Sequence, residues 1–326
     1  MLAAAAPSGA AARVMSKVVC LASALDAELE LFNCVFDSDI SRPGRFGSRG
    51  VEADIRDIVV QRHRQIESTA ERLRAQGIRV CSSVRWDYPA HEGIVRQVLR
   101  HKPDLLIVES RRRGAAARLL ATQSDFKLIE TCPCPLLLIK TARAYSAVYT
   151  IAAVDPLQAH RKPPALDDAI LDAATVVTRA LSGELLVFHA RAPWEDIVRA
   201  TPALQHIPEV EQADAQSAYR ESVDQRIRQL ARSHGITKER TRVTDAYVAE
   251  SLPQLVRAES AGIVAMGAVS RSLLKRAVIG HTAERLLDVL DCDVLVVKPP
   301  GFRSPVRVRS AHHVRQRGGE PGRYVF

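Results

Sequence analysis

The chain contains an internal repeat without a gap. Gly77–Lys140 falls on Gly235–Lys298 at a constant shift of 158 over 64 positions. Gly77-Ile78 lands on Gly235-Ile236, Asp87 on Asp245, Glu92 on Glu250 and Val98 on Val256. Arg113 and Arg118 land on Arg271 and Arg276, and Cys134, Leu137 and Lys140 on Cys292, Leu295 and Lys298. The apolar runs Leu105–Val108 and Ile263–Met266 superpose as well. The repeat implies one supersecondary plan used twice. Length agrees, because 326 residues exceed the roughly 250–300 that one core usually serves.

The second copy reads as strands alternating with helices. Thr150–Val154 is strand 1, Ala165–Leu181 helix 1 and Glu184–Ala190 strand 2. Arg191–Ala213 reads as long and irregular, and Gln216–His234 as helix 2, ended by Gly235 as a C-cap. Thr241–Val243 is strand 3, Val248–Glu259 helix 3 and Gly262–Met266 strand 4. Helix 4 takes Thr282–Leu290, where Ala283, Leu286, Leu287 and Leu290 recur at helical spacing, and Asp293–Lys298 is strand 5. Fully apolar strands alternating with helices predict an α/β fold with a doubly wound parallel sheet.

The first copy repeats the order with one omission. Ala10–Leu25 is helix 1, Leu29–Val35 strand 2, Asp57–Gln76 helix 2 and Arg79–Arg85 strand 3. His91–His101, Asp104–Val108, Ser124–Glu130 and Pro135–Lys140 complete it. No strand 1 precedes helix 1 in this reading. A strand of the repeated plan would then be absent and the backbone groups of its neighbours left unpaired. The sequence therefore predicts a truncation or a late start, with an apolar strand ending in Asp encoded upstream; the alternative is a copy of four strands, with strands 2 and 4 closing directly. The expected domains are 1–143, lacking strand 1, 144–302, and a disordered basic tail, 303–326.

Composition narrows the function. Net charge is +9, but the tail Gly301–Phe326 holds six Arg and one acid. The body is then only mildly basic, which makes nucleic acid an unlikely partner. Arg111-Arg112-Arg113 reads as a solvated loop. The six cysteines are scattered, Cys132-Pro133-Cys134 is not CxxC, and no zinc spacing or metal-ligand cluster appears. Reduced thiols in a cytoplasm are expected. No apolar run approaches the roughly 18–20 residues that span a membrane, so no membrane partner is expected. HExxH, GxSxG and the P-loop are missing, which favours a binding protein over an enzyme.

The tandem arrangement over Ala10–Phe302 resembles a universal stress protein with two fused domains, close to the E type. MGAVSRSLLKRAVIGHTAERLLDVLDCDVLVVKPPGF carries most of the likeness, and Leu204–Glu209 adds to it. The resemblance implies strand order 3-2-1-4-5 in each domain, pairing of the two domains within the chain, and a cytoplasmic stress-response role. A homodimer and a protein partner stay open.

Nucleotide-binding members of that family carry Gly, two residues, Gly, nine residues, Gly, then Ser or Thr. Here these positions hold Gly267, Ser270, Gly280 and His281, with Thr282 one later. The family's acid after strand 1 corresponds to Asp155. The implied ligand is ATP or another adenine nucleotide, with phosphates over Gly267–Ser270 and the helix start at Gly280–Thr282. Physically, a residue without Cβ lets the chain approach an anion, and free N–H groups at a helix start point at it. Ser270 adds a Cβ there, while Arg271, Lys275 and Arg276 keep the loop cationic. The same residues have plainer readings. Gly267 and Gly280 punctuate strand and helix, Asp155 before Pro156 suits a turn, and His281 suits a cap. In the first copy the four positions are Glu109, Arg112, Thr122 and Gln123. Glu109 would repel phosphate, so that copy is expected to be a non-binding structural partner. The competing function is a protein without nucleotide that binds an apolar ligand or a partner protein.

Overall fold

The computed structural model describes residues 1–5, 12–37, 48–110, 118–157, 165–268, 281–308, 313–316 and 324–325. It divides into two compact units, Met1–Tyr145 with Phe302–Phe326, and Ser146–Gly301.

In the first unit β1 (Leu2–Ala5) leads to α1 (Ala12–Ala24), β2 (Leu29–Val35), α2 (Ser48–Ala75) and β3 (Val80–Trp86). Then come α3 (Ala90–His101), β4 (Leu106–Glu109), α4 (Arg118–Thr131) and β5 (Leu136–Ile139). The strand order is β3-β2-β1-β4-β5, and each of these neighbours pairs in parallel. β1 corrects the expected omission. Leu2 lies opposite Glu30 on β2 and Leu106 on β4, so this four-residue strand fills the central slot. Leu2, Ala3 and Ala4 are buried. Alanine favours helix by intrinsic propensity, but here two ready-made neighbours supply the backbone partners.

The second unit runs β6 (Tyr149–Ala153), α5 (Leu166–Ala180), β7 (Glu184–Arg191), α6 (Trp194–Ala200), α7 (Pro202–Gln205) and α8 (Glu209–Ser233). β8 (Thr241–Asp245), α9 (Val248–Ala258), β9 (Ile263–Gly267), α10 (His281–Val289) and β10 (Asp293–Val297) follow. Its order is β10-β9-β6-β7-β8, all parallel. Both units therefore have the order 3-2-1-4-5. Much of Arg191–Ala213, expected to be irregular, is helical in α6, α7 and the start of α8.

The repeat extends to helix ends. Gly77 (φ +84) and Gly235 (φ +68) sit past the ends of α2 and α8 in the left-handed region that glycine tolerates. Ile78 N donates to Leu73 O (3.1 Å) and Gly77 N to Arg74 O (2.9 Å). Ile236 N donates to Ala231 O (2.8 Å) and Gly235 N to Arg232 O (3.0 Å). This paired 6→1 and 5→2 closure satisfies the last carbonyls of both helices.

The tail also departs from expectation. β11 (His313–Gln316) lies antiparallel on β3, with His313 opposite Arg85, and β12 (Tyr324–Val325) adds to β11. β3 would otherwise be an edge with open backbone groups, and pairing to an edge needs no apolar composition. The buried Arg96 of α3 anchors the approach, its Nε donating to Arg307 O at 3.1 Å.

Candidate functional site

In such sheets ligands sit beyond the carboxyl ends of the strands, where the order reverses. In the second unit that point lies between β6 and β9. Val154 N, just past β6, donates to Phe188 O (3.0 Å), and His189 Nδ1 lies 2.9 Å from Val154 O. His189 is buried and ties β7 to the tip of β6. Asp155 follows, its N–H donating to Asp167 Oδ1 at 3.1 Å. Asp167 stands in the first turn of α5, where a carboxylate suits the helix dipole. The Asp155 backbone is thus fixed on a helix start.

The tip of β7 carries a residue that the sequence reading passed over. Arg191 is buried, with Nε 2.7 Å from Asp245 Oδ1 and Nη1 3.1 Å from Asp224 Oδ1. Nη1 also reaches Arg220 O at 3.4 Å, and Arg220 Nη2 lies 3.3 Å from Asp245 Oδ2. One guanidinium therefore ties β7, β8 and α8 together. Beside it the Tyr219 phenol is pushed above its ordinary pKa. Burial is the main cause, and the Asp155 and Asp245 charges add to it against Arg191. The Trp194 ring of α6 lies 6.2 Å from the Tyr219 ring. Asp155, Arg191, Trp194, Tyr219 and Asp245 thus share one end of the sheet. The available signal was an Arg closing an apolar strand, and the repeat-matched Asp87 and Asp245.

Gly267 ends β9, opposite Val297 of β10. A Cβ there would stand 2.7 Å from Leu166 Cδ2 and 3.1 Å from Ile170 Cδ1. Both side chains belong to α5 and are fully buried. The glycine is thus required by α5 crossing β9, whatever else approaches it. His281 and Thr282 open α10. Ser270 and Gly280 lie outside the described residues. The structure therefore brings Asp155, Gly267 and the start of α10 to the carboxyl end of one sheet.

The first unit has different chemistry at the matching end. Ile151 pairs with Val264 and Leu2 with Leu106, and those partners are 158 apart. Leu2 therefore corresponds to Ile151, and the same offset in sequence matches Asp155 with Ala6, which lies outside the described residues. The expected strand exists without the expected acid. Glu109 ends β4. Next to it Ser110 Oγ donates to Asp125 Oδ2 at 2.6 Å. Burial pushes the Asp125 carboxyl up to about 6, against the Ser110 hydrogen bond and the Lys140 charge. Among the described residues, no group of three or more His, Cys, Asp or Glu side chains could hold a metal ion. No described helix is long and apolar enough to cross a membrane.

The family model for the universal stress protein family matches residues 1–140 and 153–298. The chain belongs to the universal stress protein family. It is similar to Universal stress protein E of Escherichia coli K12, 24% identical over 254 residues, covering 77% of this chain and 78% of that one. Universal stress protein E of Photorhabdus laumondii is 24% identical over 255 residues, covering 77% and 79%. Among solved structures, a functionally unknown protein from Pseudomonas aeruginosa PAO1 aligns at TM-score 0.68 and 21% identity, covering 91% and 92%. A universal stress protein from Archaeoglobus fulgidus aligns at TM-score 0.58 and 12% identity, covering 91% and 98%. These two support the fold of a tandem universal stress protein.

Proposed function

We propose that this chain is a stress-response binding protein whose second unit holds an adenine nucleotide, while the first unit is its structural partner. The observation that carries the reading is the contrast between the two units. The second presents Asp155, Gly267 and the start of α10 at its switch point. In the first unit the sequence position that corresponds to the acid is Ala6, outside the described residues, and Glu109 and Asp125 stand at the tip of β4. Asp155 suits an amino or hydroxyl donor on the base or ribose, and the N–H groups of α10 suit phosphate. Arg191 is matched by Asp224 and Asp245 and contributes little free positive charge. Attraction for phosphate then rests on the helix start and the cationic loop, so binding should be weaker than in members with the whole glycine motif.

Calorimetric titration with ATP and AMP tests this. Gly280→Val should abolish the heat and leave the fold intact, and Ser270→Gly should leave binding equal or tighter. Wild-type protein that gives no heat refutes the reading. A second reading then takes over, in which a partner protein docks on the arm. Neither α6 nor α7 has a buried residue, and α8 buries only Val223, Ile227 and Ala231 in its second half.

A further inference from the structure

We propose that Trp194 and Tyr219 form an aromatic wall beside Asp155 that takes the flat face of the base. The arm α6–α8, more than the glycine loop, would then supply the affinity of this chain. The inference rests on the nucleotide reading of the same site. Trp194 follows β7 by three residues, so it stands at the carboxyl end of the sheet. Tyr219 reaches that end because α8 is held there, Arg191 Nη1 bonding to the neighbouring carbonyl of Arg220 and to Asp224. The two rings are 6.2 Å apart and inclined at 40°. That gap is within ordinary ring-to-ring contact, so no base fits between them, and a base packs against their outer face. Both residues are only half-buried, and the Asp155 charge is felt at Tyr219, so partly open aromatic surface and that carboxylate share one neighbourhood. An aromatic face beside a carboxylate suits a flat heterocycle that carries a donor, and it suits a bare sugar phosphate poorly.

A phenol is protonated at neutral pH, and burial with the nearby Asp155 and Asp245 charges pushes the Tyr219 pKa further up. Its ring, not a phenolate, is what the ligand meets. Tyr219→Phe should therefore be benign.

The chain has two tryptophans, Trp86 and Trp194, so full-length Trp86→Phe protein reports Trp194 alone. AMP and adenosine should change Trp194 emission and shield it from acrylamide, and ribose 5-phosphate should do neither. By calorimetry, Trp194→Ala or Tyr219→Ala should weaken AMP about tenfold or more, the scale of one base on one aromatic platform. Tyr219→Phe should stay within about twofold, since the ring persists. Full AMP heat in both alanine variants, with unchanged Trp194 emission and shielding, would overturn the wall and leave nucleotide binding standing. Wild-type protein without heat from AMP or ATP would overturn both. The emission arm uses only the Trp86→Phe protein, so it decides the matter even where an alanine variant fails to fold.

Discussion

Replacing Asp125 by Asn should stabilise the protein at neutral pH and leave it unchanged in acid. Burial lifts this carboxyl from 3.8 to about 6 in the native state, although Ser110 and Lys140 both favour its charged form. Between those values the native chain keeps a proton that the unfolded chain has released. The unfolded state then binds fewer protons, so stability falls as pH rises, by about 1.4 kcal/mol per unit. Over a shift of roughly two units the loss reaches about 3 kcal/mol, is complete above pH ~6 and is absent below pH ~4. That is an outer limit, because the half-buried position admits some water. Asparagine has the same shape, cannot ionise, and its Oδ1 still accepts from the Ser110 hydroxyl. The advantage of Asp125→Asn should therefore grow from near zero at pH 4 to about 1–3 kcal/mol at pH 7. Urea unfolding of both proteins at pH 4, 5, 6 and 7 measures it, read on the transition of the first unit. Parallel profiles, or a less stable variant at pH 7, would refute the argument that burial outweighs the hydrogen bond and the lysine.

Two further outcomes follow from packing and charge. Gly267→Val forces a branched side chain onto Leu166 and Ile170 of α5 and should cost about 1–3 kcal/mol by overpacking; unchanged melting with lost nucleotide heat would show that the glycine serves the ligand and not the helix. Arg96→Ala leaves Asp87 buried without its 2.6 Å partner and removes the donor to Arg307, so a loss of about 3–5 kcal/mol is expected; a loss below about 1 kcal/mol in urea unfolding would show that water already reaches the pair.

What was legible in the sequence is what repeats or what runs together. The 158-residue shift located strands, helices and the glycine closures at Gly77 and Gly235, because local backbone demands leave local residues. β1 escaped notice because Leu2–Ala5 is four residues of mostly alanine, and only its neighbours β2 and β4 make it a strand. The tail escaped for the same reason. Its arginines read as solvated, while an open β3 edge accepts almost any backbone. The family resemblance singled out Asp155 and Gly267, but the packing that requires Gly267 is not legible in the sequence, because Leu166 and Ile170 lie about a hundred residues away. The Arg191 network joins residues 33 and 54 positions apart, and no local pattern announces such a pairing.

The two copies share Asp87 and Asp245 in sequence, yet each gives that aspartate a different arginine. In the first unit Arg96 of α3 approaches from within the next helix and stays 1% exposed. In the second, Arg191 approaches from the neighbouring strand and also holds α8 through Asp224. The difference decides what each strand end can do. Arg96 also pairs through Nη2 with Glu92 of its own helix and donates from Nε to Arg307 O, so the first unit uses its aspartate to secure the tail beside an edge strand. Arg191 instead fixes the helix that carries Tyr219, which packs against Trp194, so the second unit uses its aspartate to hold α8 at the strand ends. Duplication supplied the same acid twice, and the position of the cation decides what each acid holds: the tail through Arg307 in one copy, α8 through Asp224 in the other.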